Sequence, residues 1–128
     1  MIDGRDETDF VKDILVKLSE SGRYLVWRNN SGMAFMGKRG TISVGTAGMS
    51  DILGVTLDGK ARFLSFEIKS DTAPWQKGQK PWLERVAGIG GIATAYRYRN
   101  KLTWEENVDA ALAELDRAAH GNANRSEL

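Results

Sequence analysis

Cysteine is absent from the 128 residues, which removes disulfides and thiolate metal ligands together. Histidine occurs once, as His120 in a polar C-terminal setting, a poor position for catalysis. Any metal chemistry must therefore rest on hard oxygen donors. Long apolar runs are also missing. The first apolar stretch is short and broken by charge, so nothing reads as a signal peptide or a membrane span, and a cytoplasmic protein is expected. A charge of one sign is lacking too: the net is +1, which neither demands nor excludes nucleic acid. Its distribution says more. Acidic residues gather between Asp3 and Glu20 and between Glu105 and Asp116, and basic residues dominate from Arg23 to Lys101, so a positive surface is expected in the middle of the chain.

What is present is an ordinary globular balance, with 41% hydrophobic and 27% charged residues, enough for one packed domain without staples. That domain is expected over residues 1–120. Residues 121–128, GNANRSEL, are polar and read as a disordered tail.

The chain is organised around Gly48 to Lys69, GMSDILGVTLDGKARFLSFEIK. Two short apolar runs flank Asp58-Gly59, a strong turn signal, and predict two antiparallel strands. Alternation puts Glu67 and Lys69 on one face, with Leu64, Phe66 and Ile68 on the other, toward the core. The turn decides where Asp51 falls. A two-residue loop would set it opposite Phe66, on the wrong face. A three-residue loop with Gly59 left-handed would set it opposite Ser65 and diagonal to Glu67. The second is expected, a bulged hairpin with Asp51, Glu67 and Lys69 on one face.

Two carboxylates converging beside an ammonium are costly unless a cation compensates them. Carboxylate oxygens without cysteine or a nearby histidine favour Mg²⁺ or Mn²⁺ over Zn²⁺. Such an ion can hold a phosphate oxygen and acidify a water, as phosphodiester hydrolysis requires, while Lys69 orients the water and offsets transition-state charge. An E-x-K triplet alone is a weak signal, since carboxylates at strand ends are usually just solvated; Asp51 across the hairpin strengthens it.

Other elements surround this stretch. A helix is expected from Asp6 or Thr8 to about Ser19, with Glu7, Val11, Ile14 and Leu18 at helical spacing. Glu7 either complements the helix dipole or faces a site. Ser21-Gly22 ends it, and YLVWRNN follows as a strand. Arg28 and Asn30 then lead into a loop with Gly32, Gly37, Lys38, Arg39 and Gly40, either a phosphate-contacting loop or a plain polar one. Met33, Phe35 and Met36 are unusual there. A short strand near Thr41 to Val44 precedes GTAGMSD, whose small residues are expected to let substrate backbone approach Asp51. Lys77 and Lys80 belong to a loop and to the start of a second helix near Gln79 or Lys80, with Pro81 in its first turn. Gln79, Trp82, Leu83, Val86 and Ala87 share one face. Gln79 is either a cap or the polar opening of the inward stripe. Gly88, Gly90 and Gly91 lead to a strand from Ile92 to about Arg99 that reads as an edge strand. Thr103 and Glu106 make a capping box for the last helix, buried along Trp104, Val108, Ala111, Leu112 and Leu115.

An acidic residue on a first helix, then G-x-S-D-I-L-G, then E-I-K on the next strand, then a Gln opening a helix that ends in Gly-Gly before a strand: this order resembles the virus-type replication-repair nuclease family, VRR-NUC, of the PD-(D/E)xK superfamily. The resemblance spans roughly Glu7 to Arg99. It implies an α/β restriction-endonuclease-like core, a mixed sheet with a central hairpin flanked by helices. It implies that Asp51 and Glu67 hold Mg²⁺ or Mn²⁺ with the Ile68 carbonyl, that Lys69 positions the water, that Gln79 lies near the centre, and that Glu7 is the helical acidic residue, with Asp6 and Asp9 as competitors. Ser50 stands where the superfamily nominally has proline. Small phage-like members of this kind imply a homodimer acting on DNA, branched or junction forms included, in replication, recombination or repair in a bacterial or phage-infected cell. Arg28, Asn30, Lys38, Arg39, Lys77 and Lys80 are the expected DNA contacts. The competing classes are a nuclease-fold DNA-binding module without useful catalysis, serving a larger complex, and a metal-dependent phosphoesterase of small substrates.

Overall fold

The computed structural model describes residues 4–29, 32–35, 41–44 and 48–121, with side chains for 4–29 and 48–121. Local signals set the helix ends. α1 (Glu7–Ser21) starts at Asp6, whose carboxylate accepts from the Asp9 amide while the Asp9 carboxylate accepts from the Asp6 amide. It stops at Gly22, which turns left-handed at φ 72. Capping occupies both rivals of Glu7, leaving Glu7 as the acidic side chain of this turn not spent on the helix end. β1 (Tyr24–Arg28) follows, then β2 (Gly32–Phe35), β3 (Thr41–Val44), β4 (Ile52–Thr56), β5 (Phe63–Lys69), α2 (Gln79–Gly88), β6 (Ile92–Arg97) and α3 (Trp104–Ala119).

The main sheet has the order β1-β4-β5-β6, antiparallel except for the parallel β5–β6 pair. The β4–β5 hairpin is thus central, and β6 is an edge strand as expected. α1 and α3 cover one face over a core of Phe10, Ile14, Ile52, Leu64, Phe66, Ile68 and Leu115. α2 covers the other, where Leu83 and Val86 pack on Ala93 and Ala95. Ala87, expected on this inward stripe, is exposed. The two-turn contact is centred on Leu83 and Val86, and Ala87 falls beyond its rim.

Two further expectations are corrected. Gly32–Phe35 is a strand paired with β3 in a separate two-stranded sheet, with Met33 opposite Ser43 and Phe35 opposite Thr41. The glycines around it read as loop, but the apolar residues between them suit a strand once a partner lies alongside. The central hairpin is also wider than a three-residue bulge. Ile52 pairs with Phe66, which sets Asp51 opposite Glu67 rather than Ser65. The Asp58 carboxylate holds the wider turn, accepting from the Thr56 hydroxyl (2.7 Å) and the Lys60 amide (3.0 Å). Gly59 is left-handed at φ 87, and Thr56 N–H donates to the Arg62 carbonyl at 3.0 Å. The register differs by two residues, which preserves the face.

Among the described residues no helix is long and apolar enough to cross a membrane. The tail expected to be disordered lies, beyond Gly121, outside the described residues.

Candidate metal centre

The C-terminal end of β5 brings the sequence-predicted residues together on the α2 face. Asp51, at the entrance to β4, accepts from the Ile68 amide through Oδ2 at 2.9 Å. That bond replaces the next rung of the β4–β5 ladder and fixes the carboxylate across from Glu67. The Ile68 carbonyl lies on the same strand edge as its amide, as in any extended residue, and so faces the Asp51 side.

Glu67 is 3% exposed. Its Oε1 accepts from Gln79 Nε2 at 3.2 Å, and no group donates to its Oε2. Burial, then the charge of the neighbouring Asp51 carboxylate and a hydrogen bond from the protonated Glu67 carboxyl to it, push the Glu67 pKa up to about 9, with Lys69 pulling the other way. At neutral pH, without a metal, Glu67 therefore carries a proton. Lys69 is 5% exposed. Its ammonium donates to the Pro74 carbonyl (3.0 Å) and to Gln79 Oε1 (2.6 Å), and lies 5.2 Å from the centre of the Trp75 ring. Gln79 Oε1 also accepts from the Gln76 amide at 2.7 Å. Gln79 is thus both a loop cap and a bridge: one side chain ties the Lys69 ammonium to the Glu67 carboxyl.

Glu7 reaches the same end of the sheet from the opposite layer. It is half-buried, and burial followed by the Asp51 charge raises its pKa, opposed by Lys69 and Arg28. Its charge is thus coupled to those of Asp51, Lys69 and Arg28. Of the expected DNA contacts, Arg28 is half-buried at the end of β1, Lys77 is exposed, and Lys80 places its ammonium 5.3 Å from the Trp75 ring centre. Asn30, Lys38 and Arg39 lie outside the described residues.

Gly48 has a different role from the one expected. A Cβ on it would lie 2.2 Å from the Gly78 carbonyl carbon and oxygen, and its φ is 85. What approaches Gly48 closely is the protein's own backbone at the start of α2; Gly45, Thr46 and Ala47 lie outside the described residues. The contact seats the segment before Asp51 against the residue that precedes Gln79, so the two halves of the centre are joined through glycines.

Sequence reasoning missed two supports. Trp75 flanks the Lys69 ammonium, and Arg97, level with Lys69 across β5–β6, donates to the Ser70 and Ala73 carbonyls at 2.8 and 2.6 Å. Arg97 thereby holds the loop that delivers Pro74. The only advance signal was an arginine alternating with tyrosines on β6, which also fits an ordinary edge strand.

Among the described residues no group of three or more acidic or histidine side chains is gathered closely enough to hold an ion. The oxygens that meet at this end of β5 are two carboxylates and, on the Asp51 side, the Ile68 carbonyl. That suits Mg²⁺, which keeps several waters and is commonly held by one or two carboxylates and substrate phosphates. Such an ion would replace the proton that the buried Glu67 carboxyl holds beside Asp51. A cleft of about 420 Å³ at the other end of the sheet, lined by Tyr24, Asp58, Arg62 and His120 among others, offers less. Several of its polar groups are engaged within the fold: Arg23 and Tyr24 donate to Asp116, and Arg62 donates to the Gly90 and Ala119 carbonyls.

Comparison with protein-family models and with curated proteins gave no match to this chain.

Proposed function

We propose that this chain is a divalent-metal-dependent DNA nuclease with a PD-(D/E)xK-type centre, related to the VRR-NUC family. The observation that carries the reading is the buried Glu67 carboxyl, one oxygen without a donor, directly across from Asp51 and tied through Gln79 to a buried lysine. In the free protein this carboxyl keeps its proton beside Asp51; exchanging that proton for a cation would turn the pair into ligands.

Asp51 and Glu67 would hold Mg²⁺ or Mn²⁺, with the Ile68 carbonyl beside them. When bound, the ion supplies Lewis-acid polarisation of the phosphoryl oxygen and a more acidic attacking water. Lys69 is anchored by two acceptors and retains a third donor direction. That direction serves to orient the water and to stabilise negative charge as it develops on the phosphate. Gln79 keeps Lys69 and Glu67 in register, and Glu7 adds to the negative field that draws the cation. Hydrolysis is by direct attack of water, with no covalent enzyme intermediate.

The two-carboxylate donor set is the one observation that favours a binding module without useful catalysis. Lys69 argues the other way. A buried lysine beside two carboxylates, held by a glutamine and a carbonyl, is an expensive arrangement for a surface that only binds. The discriminating experiment uses labelled duplex, nicked, flap, single-stranded and four-way-junction DNA with Mg²⁺, Mn²⁺ or EDTA. Cleavage of at least one substrate in metal and none in EDTA is expected. Salt-sensitive binding without cleavage in either metal would establish the binding module instead. Turnover of small phosphate esters without DNA affinity would move the substrate class away from nucleic acid.

A further inference from the structure

β5 and β6 run parallel, with Lys69 level with Arg97. The chain leaving β6 therefore emerges at the same end of the sheet as the metal centre. There Asp71, Arg97, Arg99 and Lys101 line a cleft of about 330 Å³, three cations against one carboxylate. The segment carrying Arg99 and Lys101 is built rather than loose. Leu102 N–H donates to the Arg99 carbonyl at 3.1 Å, closing a turn over 99–102. Asn107, fully buried on α3, accepts from the Arg99 amide at 2.8 Å and donates to the Arg99 carbonyl at 3.0 Å. Its Oδ1 is itself fixed by the Tyr96 hydroxyl at 2.7 Å. From the other side, the Asp71 carboxylate accepts from the Asn100 amide at 3.0 Å, so the one acidic group in the cleft is engaged with backbone. A buried asparagine and an aspartate thus hold the backbone of a turn whose two cationic side chains, Arg99 and Lys101, stand exposed.

We infer that Arg99 and Lys101 form a phosphate-binding site for the nucleic-acid backbone flanking the cleaved bond; this rests on the nuclease reading for the identity of the polymer. Arg99 stands two residues beyond Arg97, the residue level with Lys69, and so at most about 7 Å along the chain from that level. The ligand is a phosphodiester held by charge and direct donation, with no base read. The site fixes the register of the strand without sequence preference. Arg97 contributes field while its Nη1 holds the loop at Ser70 and Ala73.

The test is the salt dependence of binding to a labelled duplex in EDTA, so that no cleavage intervenes. It compares wild type, Arg99→Ala/Lys101→Ala, and Lys12→Ala/Lys17→Ala, which removes the same charge from exposed positions on α1. Each lost phosphate contact flattens the plot of log affinity against log salt by about 0.9. The Arg99/Lys101 pair is expected to flatten it by about 1.8 and the Lys12/Lys17 pair not at all. All three proteins should melt at the same temperature. Equal slopes for wild type and the Arg99/Lys101 variant, or equal flattening by both variants, would overturn the site. If wild type cleaves DNA yet the slopes agree, this inference fails alone. If the slope falls as expected but no metal supports cleavage, the phosphate site stands and the nuclease reading fails.

Discussion

Glu67→Gln is expected to abolish metal-dependent cleavage, by more than about 1,000-fold, and to make the metal-free protein more stable. The two effects have one cause. In the unfolded chain this carboxyl titrates near 4.5, whereas in the fold burial and Asp51 raise it to about 9. A group whose folded pKa is raised contributes its full stability below the unfolded value and loses that contribution as pH climbs toward the folded one. Between about pH 4.5 and 9 the folded protein must retain a proton that the unfolded chain releases. At pH 7 the penalty is on the order of 3 kcal/mol. Glutamine keeps the shape, remains neutral and avoids the penalty. In EDTA the variant should melt at least about 5 °C above wild type near pH 8, with the gap closing toward pH 5. Adding Mg²⁺ should then raise the melting temperature of wild type and leave the variant where it was. Thermal melts across pH check this. A variant less stable than wild type at pH 8 in EDTA, or one that cleaves at the wild-type rate, contradicts it.

Lys69→Met is expected to lower kcat for DNA cleavage by about 10²–10³-fold with a small change in KM. The loss of one positioned cation from a water-poor site is of that order when the cation acts on transition-state charge. Methionine keeps the length and apolar stem, and the cap survives because Gln79 Oε1 still accepts from Gln76 N–H. Lys69 also lowers the Glu67 pKa, so the variant should need a somewhat higher pH or metal concentration for the activity that remains. Lys69→Arg should not restore the rate, because a planar guanidinium cannot sit on the Pro74 carbonyl and Gln79 Oε1 as a compact ammonium does. Single-turnover kinetics at saturating Mg²⁺ decide the matter. A wild-type kcat in Lys69→Met would remove the lysine from the chemistry.

What could be read in the sequence was whatever depends on near neighbours. Thr103 and Glu106 bracket the start of α3 within four residues, and both hydrogen bonds of that capping box form. Gly22 ends α1 for the same local reason. The shared face of Asp51, Glu67 and Lys69 was also legible, because strand parity survives a turn longer or shorter by two residues. The register was not. It depends on the Asp58 side chain choosing to bond Thr56 and Lys60, an option with no distinguishing pattern. The contact of Gly48 with Gly78 joins residues 30 apart, and only the folded chain brings them together. Arg97 likewise read as an edge-strand arginine until the parallel pairing set it beside the loop after Lys69. Glu7 was legible as a carboxylate at the end of the inward stripe, and the capping box that engages Asp6 and Asp9 came into view only in the fold.

The most direct measurement is calorimetric titration with Mn²⁺ of wild type and Asp51→Asn at pH 7, in two buffers of different ionisation enthalpy. Asparagine can still accept from the Ile68 amide, so the fold is kept and the charge is removed. The account predicts one saturable site in wild type, with close to one proton released per ion as Glu67 exchanges its proton for the metal, and no such heat in Asp51→Asn. The same heat and proton release in Asp51→Asn, or none in wild type, would contradict a metal centre at Asp51 and Glu67.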